Sequence, residues 1–246
     1  MMADTVTAPP QLYESSGRNP VAPLWHTTFF ILLIVGLSSL QAAKFPGLEA
    51  HGRMPIYLSG IAFEIALVLY VWLLGVRPHG KRLRDLVGGK WSKPMDVLRD
   101  IGVALAFWCA VIGFLLAMRF LLGANAEGTR AVKMLLPRTT AEIISYLALC
   151  VTAGFCEELL FRGYLQRQFF AWSGRVEVAV VLQAVVFGLG HLYQGWKGAL
   201  TITLYGAMFG ILAVMRKSLR PGMIQHMMQD SFTGIVGSLL IKHGRL

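Results

Sequence analysis

The chain has 246 residues, of which 55% are hydrophobic and only 15% are charged, and its mean hydropathy is +0.58. Soluble domains carry about 25% charged residues, so this composition excludes an ordinary water-soluble protein. The net charge is +10, but no basic stripe alternates with aromatic residues. We therefore exclude a nucleic acid partner and attribute the charge to membrane topology and to contact with membrane lipids, whose anionic headgroups attract Lys and Arg.

The first 24 residues differ in composition from the rest of the chain. They are polar and contain four prolines and two acidic residues, and no positively charged region precedes the first apolar run. This pattern is not that of a signal peptide. We predict that residues 1–24 form a flexible cytoplasmic tail and that residues 25–246 form a single helical membrane domain.

Seven apolar stretches follow one another along the chain, at 25–43, 55–76, 101–122, 139–161, 176–194, 198–215 and 221–241. Each is near the ~20 residues that a helix needs to cross a bilayer, although the fifth and sixth are short. Lipid satisfies no backbone amide, so spans of this kind must be helical. The sequence predicts an all-α, polytopic membrane helix bundle of about seven spans, with a polar site inside the bundle.

Positive charge is concentrated between the second and third stretches. The residues are Arg77, Lys81, Arg82, Arg84, Lys90, Lys93 and Arg99. Loops rich in Lys and Arg stay in the cytoplasm, so we expect this loop and the N-terminus to be cytoplasmic and the C-terminus to lie on the other side.

The fourth stretch ends with ionisable residues. Glu157, Glu158 and Arg162 lie in or just beyond it, and each charge at bilayer depth costs about 2.5–3.5 kcal/mol. At 100° per residue, Glu158 and Arg162 share a helix face, whereas Glu157 points ~140° away from Arg162. We expect Glu158 to pair with Arg162 and Glu157 to face the bundle interior as a general base or acid. The alternative is an interfacial cluster that reaches toward water.

Two later stretches each provide a histidine. His191 follows Phe187 by one helical turn, and His226 precedes Asp230 by the same spacing. Taken singly, His191 could be an interfacial residue, and His226 with Asp230 could form an interhelical hydrogen-bonded clip. Glu64, in the second stretch, is a further buried acid that we interpret as structural.

Taken together, these residues resemble the CAAX protease and bacteriocin-processing (CPBP) family of intramembrane glutamic endopeptidases, which includes the type II CAAX prenyl endopeptidase and abortive-infection-like bacterial proteins. Its motif EExxxR is matched by Glu157, Glu158 and Arg162, its motif FxxxH by Phe187 and His191, and its third motif, Hxxx followed by Asn or Asp, by His226 and Asp230. The resemblance covers roughly residues 95–240.

The resemblance implies a protease without a metal or cofactor. Glu157 and His191 would activate a water, and His226 with Asp230 would stabilise the oxyanion. The residues Glu158, Arg162 and Phe187 would support the site. The substrate would be a peptide or protein, and lipidated or membrane-anchored chains are among the alternatives. The location would be a bacterial inner (plasma) membrane. Several members carry Asn where this chain has Asp230, so the donor at that position is in question.

Two other hypotheses fit the same residues. A metal held by Glu157, His191, His226 and Asp230 would give a metal-dependent protease. A chain of buried Glu and His residues would equally suit a proton-coupled transporter, or the protein could be a non-catalytic scaffold. One conflict is also visible, because a simple fifth span puts His191 ~10 Å from the depth of Glu157. We therefore expect the boundaries drawn for residues 170–200 to be wrong.

Overall fold

The structure is a computed structural model that describes residues 19–44 and 52–244. All regular elements in these two ranges are helical. The α-helices are α1 (Leu24–Lys44), α2 (Arg53–Tyr70), α3 (Leu83–Val87), α4 (Pro94–Leu122), α5 (Ala126–Leu135), α6 (Thr140–Glu157), α7 (Gln166–Ser173), α8 (Val176–Leu189), α9 (Gly195–Arg216) and α10 (Arg220–Lys242). The predicted helical membrane bundle is therefore confirmed.

Five helical segments in the described residues are long and apolar enough to cross a membrane. They are Leu24–Ala42, Arg53–His79, Pro94–Leu122, Thr140–Ser173 and Leu192–Arg216. The other two predicted spans do not reach this standard. Helix α8 has only 14 residues, and α10 carries polar residues such as Gln225, His226 and Asp230 among its apolar ones. The expected seven spans thus comprise five clear spans and two further helices.

The fourth span is much longer than the sequence suggested. Helix α6 continues through a π-helix, Glu158–Leu165, into α7, so that Thr140–Ser173 is one helix of 34 residues. At 1.5 Å per residue it is ~51 Å long. Glu157 is the last residue of the 18-residue α6 and lies near the middle of this helix, not at the end of a span. The sequence did not predict this extension, because residues 158–170 are rich in polar groups, which are nevertheless buried.

A helical hairpin brings His191 to the level of Glu157. Gly174, with φ of +67°, ends α7 in the left-handed conformation that glycine adopts readily, and α8 then runs back along α7. The outward arm from Glu157 to Ser173 and the return arm from Val176 to His191 are ~24 and ~23 Å long. The predicted fifth span was therefore wrong, as its conflict over depth indicated: α8 ends at Leu189, before its length would cross the bilayer.

Helix α6 forms the centre of the bundle, where it packs against both α2 and α10. Glycine allows the close approach to α10. A Cβ atom on Gly154 would lie 2.6 Å from Cγ and 2.9 Å from the backbone nitrogen of Met227, and 3.3 Å from the carbonyl oxygen of Met223. His226 lies between these two methionines, so this contact fixes His226 beside the end of α6.

The end of the predicted tail is held by the hairpin. The Gln168 side-chain amide donates to the Ala22 carbonyl over 2.6 Å. The hydroxyl group of Thr27, on α1, lies 2.7 Å from the hydroxyl group of Tyr164, in the π-helix. The prediction of a flexible tail for residues 1–18 lies outside the described residues.

We expect Gly154→Ala to destabilise the protein, because the added methyl group would meet the backbone of α10 and not only a flexible side chain. Overpacking of this kind costs about 1–3 kcal/mol. The matched control is Gly113→Ala on α4, where nothing lies within 4 Å of the new methyl group. Thermal unfolding in detergent should show a lower Tm than wild type for Gly154→Ala and no decrease in Tm for Gly113→Ala. Equal Tm values would contradict the packing described here.

Candidate functional site

His226 lies at the centre of a cluster of carboxylates. Its Nδ1 atom is 3.3 Å from Oε1 of Glu158. On the other side of the ring, Nε2 is 3.7 Å from Oε2 of Glu157 and 3.6 Å from Oδ2 of Asp230. The side chain of Glu158 is 1% exposed, whereas those of Glu157 and Asp230 are 16% and 38% exposed. The ring thus separates one fully buried carboxylate from two that border open space.

The buried carboxylate belongs to an ion pair. Arg162 donates from Nη1 to Oε1 of Glu158 over 2.9 Å, as the spacing of the two residues predicts. Its Nη2 donates to the carbonyl oxygen of Gly206 over 3.1 Å. The guanidinium carbon lies 4.3 Å and 4.9 Å from the ring centres of Phe187 and Phe209. Arg162 is therefore compensated by a carboxylate, a carbonyl and two aromatic faces.

The backbone that carries this pair is not a regular α-helix. A regular α-helix turns by 100° per residue, whereas Glu158–Leu165 form a π-helix in which every residue is buried. Short π-helical segments within α-helices are frequent at functional sites. Here the segment begins one residue after Glu157, so the change of helical geometry falls within the EExxxR motif.

His191 lies in the turn between α8 and α9. Its Nδ1 is 2.8 Å from the carbonyl oxygen of Phe187. A carbonyl oxygen can only accept, so Nδ1 carries the proton and Nε2 of the neutral ring is left as the acceptor. The Phe187 ring centre is 4.8 Å from that of His191 and 6.5 Å from that of His226. The Phe187 ring therefore packs near both imidazoles, and Asp230 lies near enough to His191 for their charges to interact.

Two further residues border the site. Glu64 on α2 interacts electrostatically with Glu157 and His226, and its buried Oε2 has no hydrogen-bond partner among the described residues. Tyr193 interacts electrostatically with Glu157, and its ring centre is 5.8 Å from that of His191. The sequence singled out Glu64 as a buried acid but gave no partner for it. Nothing in the sequence distinguished Tyr193 from other interfacial aromatic residues.

A bound metal would require several His, Cys, Asp or Glu side chains that converge on one point. Among residues 19–44 and 52–244, no group of three or more such side chains is arranged to hold a metal ion. The described residues therefore offer no assembled ligand set for the metal-dependent alternative.

Together, the fold and the site define an integral membrane protein of helical type with an acidic and histidine-rich interior. Residues 139–232 match the model of the Rce1-like family, described as type II CAAX prenyl endopeptidase Rce1-like. The predicted resemblance to the CPBP family is thereby confirmed. No curated protein and no solved structure matches the chain.

The matched segment contains all three motifs, from Glu157 to Asp230, and is narrower than the range 95–240 drawn from the sequence. A match to this family model implies intramembrane CAAX protease activity. Helices α1 to α5 lie outside the match, so what they contribute must be argued from the structure.

Proposed function

We propose that the protein is an intramembrane endopeptidase of the glutamic type, which hydrolyses a peptide bond near the membrane surface. One observation supports the proposal: Glu157 and Asp230 lie 3.7 and 3.6 Å from Nε2 of His226, and the Phe187 ring packs near the imidazoles of both His226 and His191. We take the space beside these groups as the proposed site. Glu157 and Asp230 border that space with partly exposed carboxylates, while Glu158 and Arg162 are withdrawn from it.

In the proposed mechanism Glu157 is the general base and His191 orients the water. The water donates one hydrogen bond to the Glu157 carboxylate and the other to Nε2 of His191, which is an acceptor because Nδ1 donates to Phe187. Glu157 removes a proton from the water as the oxygen attacks the carbonyl carbon of the peptide. General base catalysis of this kind contributes about 10²–10⁴ in rate.

His226 is the proposed donor to the oxyanion. Nδ1 lies 3.3 Å from Glu158 and can donate to it, whereas Asp230 lies 3.6 Å from Nε2, too far for a hydrogen bond. In the proposed imidazolium the Nε2 proton is therefore left to donate to the oxyanion. Asp230 cannot donate as a carboxylate, so we assign it the role of orienting the ring. A fixed donor of this type stabilises the charge that develops on the carbonyl oxygen.

The cycle closes without any further reactant. Glu157 passes its proton to the nitrogen of the leaving amine, the C–N bond breaks, and the carbonyl regains its double bond. The products are a carboxylic acid and an amine, and Glu157 is again a carboxylate. Glu158, Arg162 and Phe187 act through His226 and His191, so we call them positioning residues.

The proposed substrate is a membrane-anchored peptide or protein, with lipidated C-terminal tails as one class. The proposed location is a bacterial inner (plasma) membrane with the N-terminus in the cytoplasm. Both proposals rest on the family match and on the charge of the loop between α2 and α4.

Glu157→Gln should reduce cleavage at least a hundredfold, because the amide keeps the shape of the side chain and removes the base. The matched control is Glu177→Gln, an exposed glutamate in the first turn of α8. Mass spectrometry would compare the peptides released from membranes of cells that express wild-type protein or either variant. Products should disappear with Glu157→Gln and persist with Glu177→Gln at equal protein levels.

Continued turnover by Glu157→Gln would contradict the proposal. A wild-type activity that chelators abolish and zinc restores would favour the metal-dependent protease. Solute flux without any peptide product would favour the transporter.

We further propose Glu64 as a positioning residue that acts on Glu157. Helix α2 packs along α6, and the unpartnered Oε2 of Glu64 interacts electrostatically with both Glu157 and His226. A second carboxylate in this position can exchange a proton with Glu157 through a shared hydrogen bond or water.

Glu64→Gln should lower kcat about tenfold or more and leave KM unchanged, because the residue acts on the base and not on substrate binding. Glu64→Asp, which keeps a carboxyl group, should recover part of kcat. Cleavage kinetics with a peptide identified from the Glu157 comparison would measure both constants. An unchanged kcat in Glu64→Gln would contradict the positioning role. A loss of activity matched by an equal loss of folded protein would show that Glu64 has only a structural role.

A further inference from the structure

His191 lies in the short connection between α8 and α9, residues 190–194, which we call the His191 turn. Its last three residues, Leu192–Gln194, form a single 3₁₀ turn, and His191 precedes them with φ of −115° and ψ of 20°, outside the helical region. The N–H of His191 donates to the carbonyl oxygen of Gly188 over 2.9 Å, and its carbonyl oxygen accepts from the N–H of Gln194 over 2.9 Å. The backbone of His191 thus bonds locally, whereas the two ends of the 3₁₀ turn also bond to distant parts of the chain.

Helix α1 holds the beginning of the 3₁₀ turn. The N–H of Leu192 donates to Oγ of Ser38 over 3.1 Å, and Ser38 is buried. Just before His191, a Cβ atom on Gly190 would lie 3.1 Å from Cγ2 of Ile34, so α1 also lies close to the backbone there. A backbone N–H that is packed against a helix needs an acceptor, and the hydroxyl group of Ser38 supplies it for the residue that follows His191.

The start of α5 holds the end of the 3₁₀ turn. Oδ1 of Asn125 accepts from the N–H of Gly128 over 3.0 Å and so caps α5, while Nδ2 of the same side chain donates to the carbonyl oxygen of Gln194 over 3.2 Å. A second bond joins the same two segments, from Nζ of Lys197 to the carbonyl oxygen of Ala124 over 3.1 Å. One amide side chain therefore both begins α5 and ties it to the His191 turn.

The side chains that hold the turn, Ser38 and Asn125, come from outside the segment that matches the Rce1-like family, which begins at residue 139. Within that segment, Nδ1 of His191 lies 2.8 Å from the carbonyl oxygen of Phe187. This bond orients the ring, but the position of the His191 backbone depends on the turn. A displacement of about 1 Å in a catalytic site can lower a rate about a hundredfold. The bonds that hold the turn therefore bear directly on catalysis.

We propose that Ser38 and Asn125 are positioning residues, which hold the His191 turn at its two ends and so place Nε2 of His191 beside the water that Glu157 activates. The inference rests on the proposed function, because only that function gives His191 a water to orient. It assigns α1 and α5 a part in the reaction. Neither side chain contacts the substrate in this account, so we expect substrate binding to stay the same.

The test uses one variant at each end of the turn in the full-length protein. Ser38→Ala removes the acceptor of the Leu192 N–H, and its matched control is Ser39→Ala, an exposed neighbour whose hydroxyl donates to Val35 within α1. Asn125→Asp keeps the oxygen that caps α5 and removes the donor to Gln194. Its charge control is Gln41→Glu, at an exposed position of α1. Because the two variants lie in different elements, either one carries the test if the other accumulates poorly.

Two measurements are made on each variant. Hydrogen–deuterium exchange with mass spectrometry follows the peptide that spans residues 188–197, with the peptide from α6 as the internal reference, and it needs no activity. Cleavage kinetics, normalised to folded protein, give kcat and KM. Ser38→Ala and Asn125→Asp should exchange faster at the His191 turn and lose about tenfold in kcat at unchanged KM. Both control variants should match the wild type in both measurements.

Unchanged exchange at the His191 turn in both variants would overturn the proposal, because the bonds would not be holding the turn. Faster exchange with an unchanged kcat would also overturn it, as would a rise in KM alone or an equal loss of kcat in the controls. Glu157→Gln, measured alongside, separates this inference from the proposed function. If Glu157→Gln is inactive and Ser38→Ala keeps the wild-type kcat, only the positioning role fails. If Glu157→Gln still cleaves, the proposed function fails and the positioning role fails with it.

Discussion

The carboxylate of Glu158 is shared between Arg162 and His226 in the interior of the bundle. Its Oε1 atom accepts from Arg162 over 2.9 Å and lies 3.3 Å from Nδ1 of His226. Removing one member of a buried ion pair typically costs about 3–5 kcal/mol, because the other charge is left uncompensated. The three residues come from the first and third motifs, so this one contact connects distant parts of the chain. We regard it as the constraint on which the site depends.

The surroundings of Arg162 explain why so many elements meet there. Phe187 from α8 and Phe209 from α9 cover the guanidinium, and Gly206 leaves its carbonyl oxygen free to accept. A Cβ on Gly206 would lie 2.9 Å from the Phe187 ring and 3.2 Å from Nη2, so only glycine fits this position without a shift. With Glu158 fixed in this way, the preceding Glu157 is directed to the other side of His226. The division between a structural and a proposed catalytic glutamate thus follows from the packing of a single arginine.

The sequence predicted the helical bundle, the pairing of Glu158 with Arg162 and the family, because each depends on local spacing or on composition. It did not predict the 34-residue helix, because the polar composition of residues 158–170 is typical of the end of a span. Their burial depends on partners elsewhere in the chain. The sequence showed that a simple fifth span would put His191 at a different depth from Glu157. It did not predict the hairpin of α7 and α8 that removes this conflict. Glu64 and Tyr193 reach the site only through packing between helices, which no motif records.

The most direct test of the shared carboxylate is a double-mutant cycle between Glu158→Gln and His226→Asn. Free energies of unfolding of the wild type, the two single variants and the double variant would be measured by steric trapping in bicelles. We predict a coupling of at least about 1 kcal/mol, since residues in one buried ion-pair network do not act independently. Additive effects within about 0.5 kcal/mol would show that Glu158 does not connect Arg162 with His226, and would contradict the account.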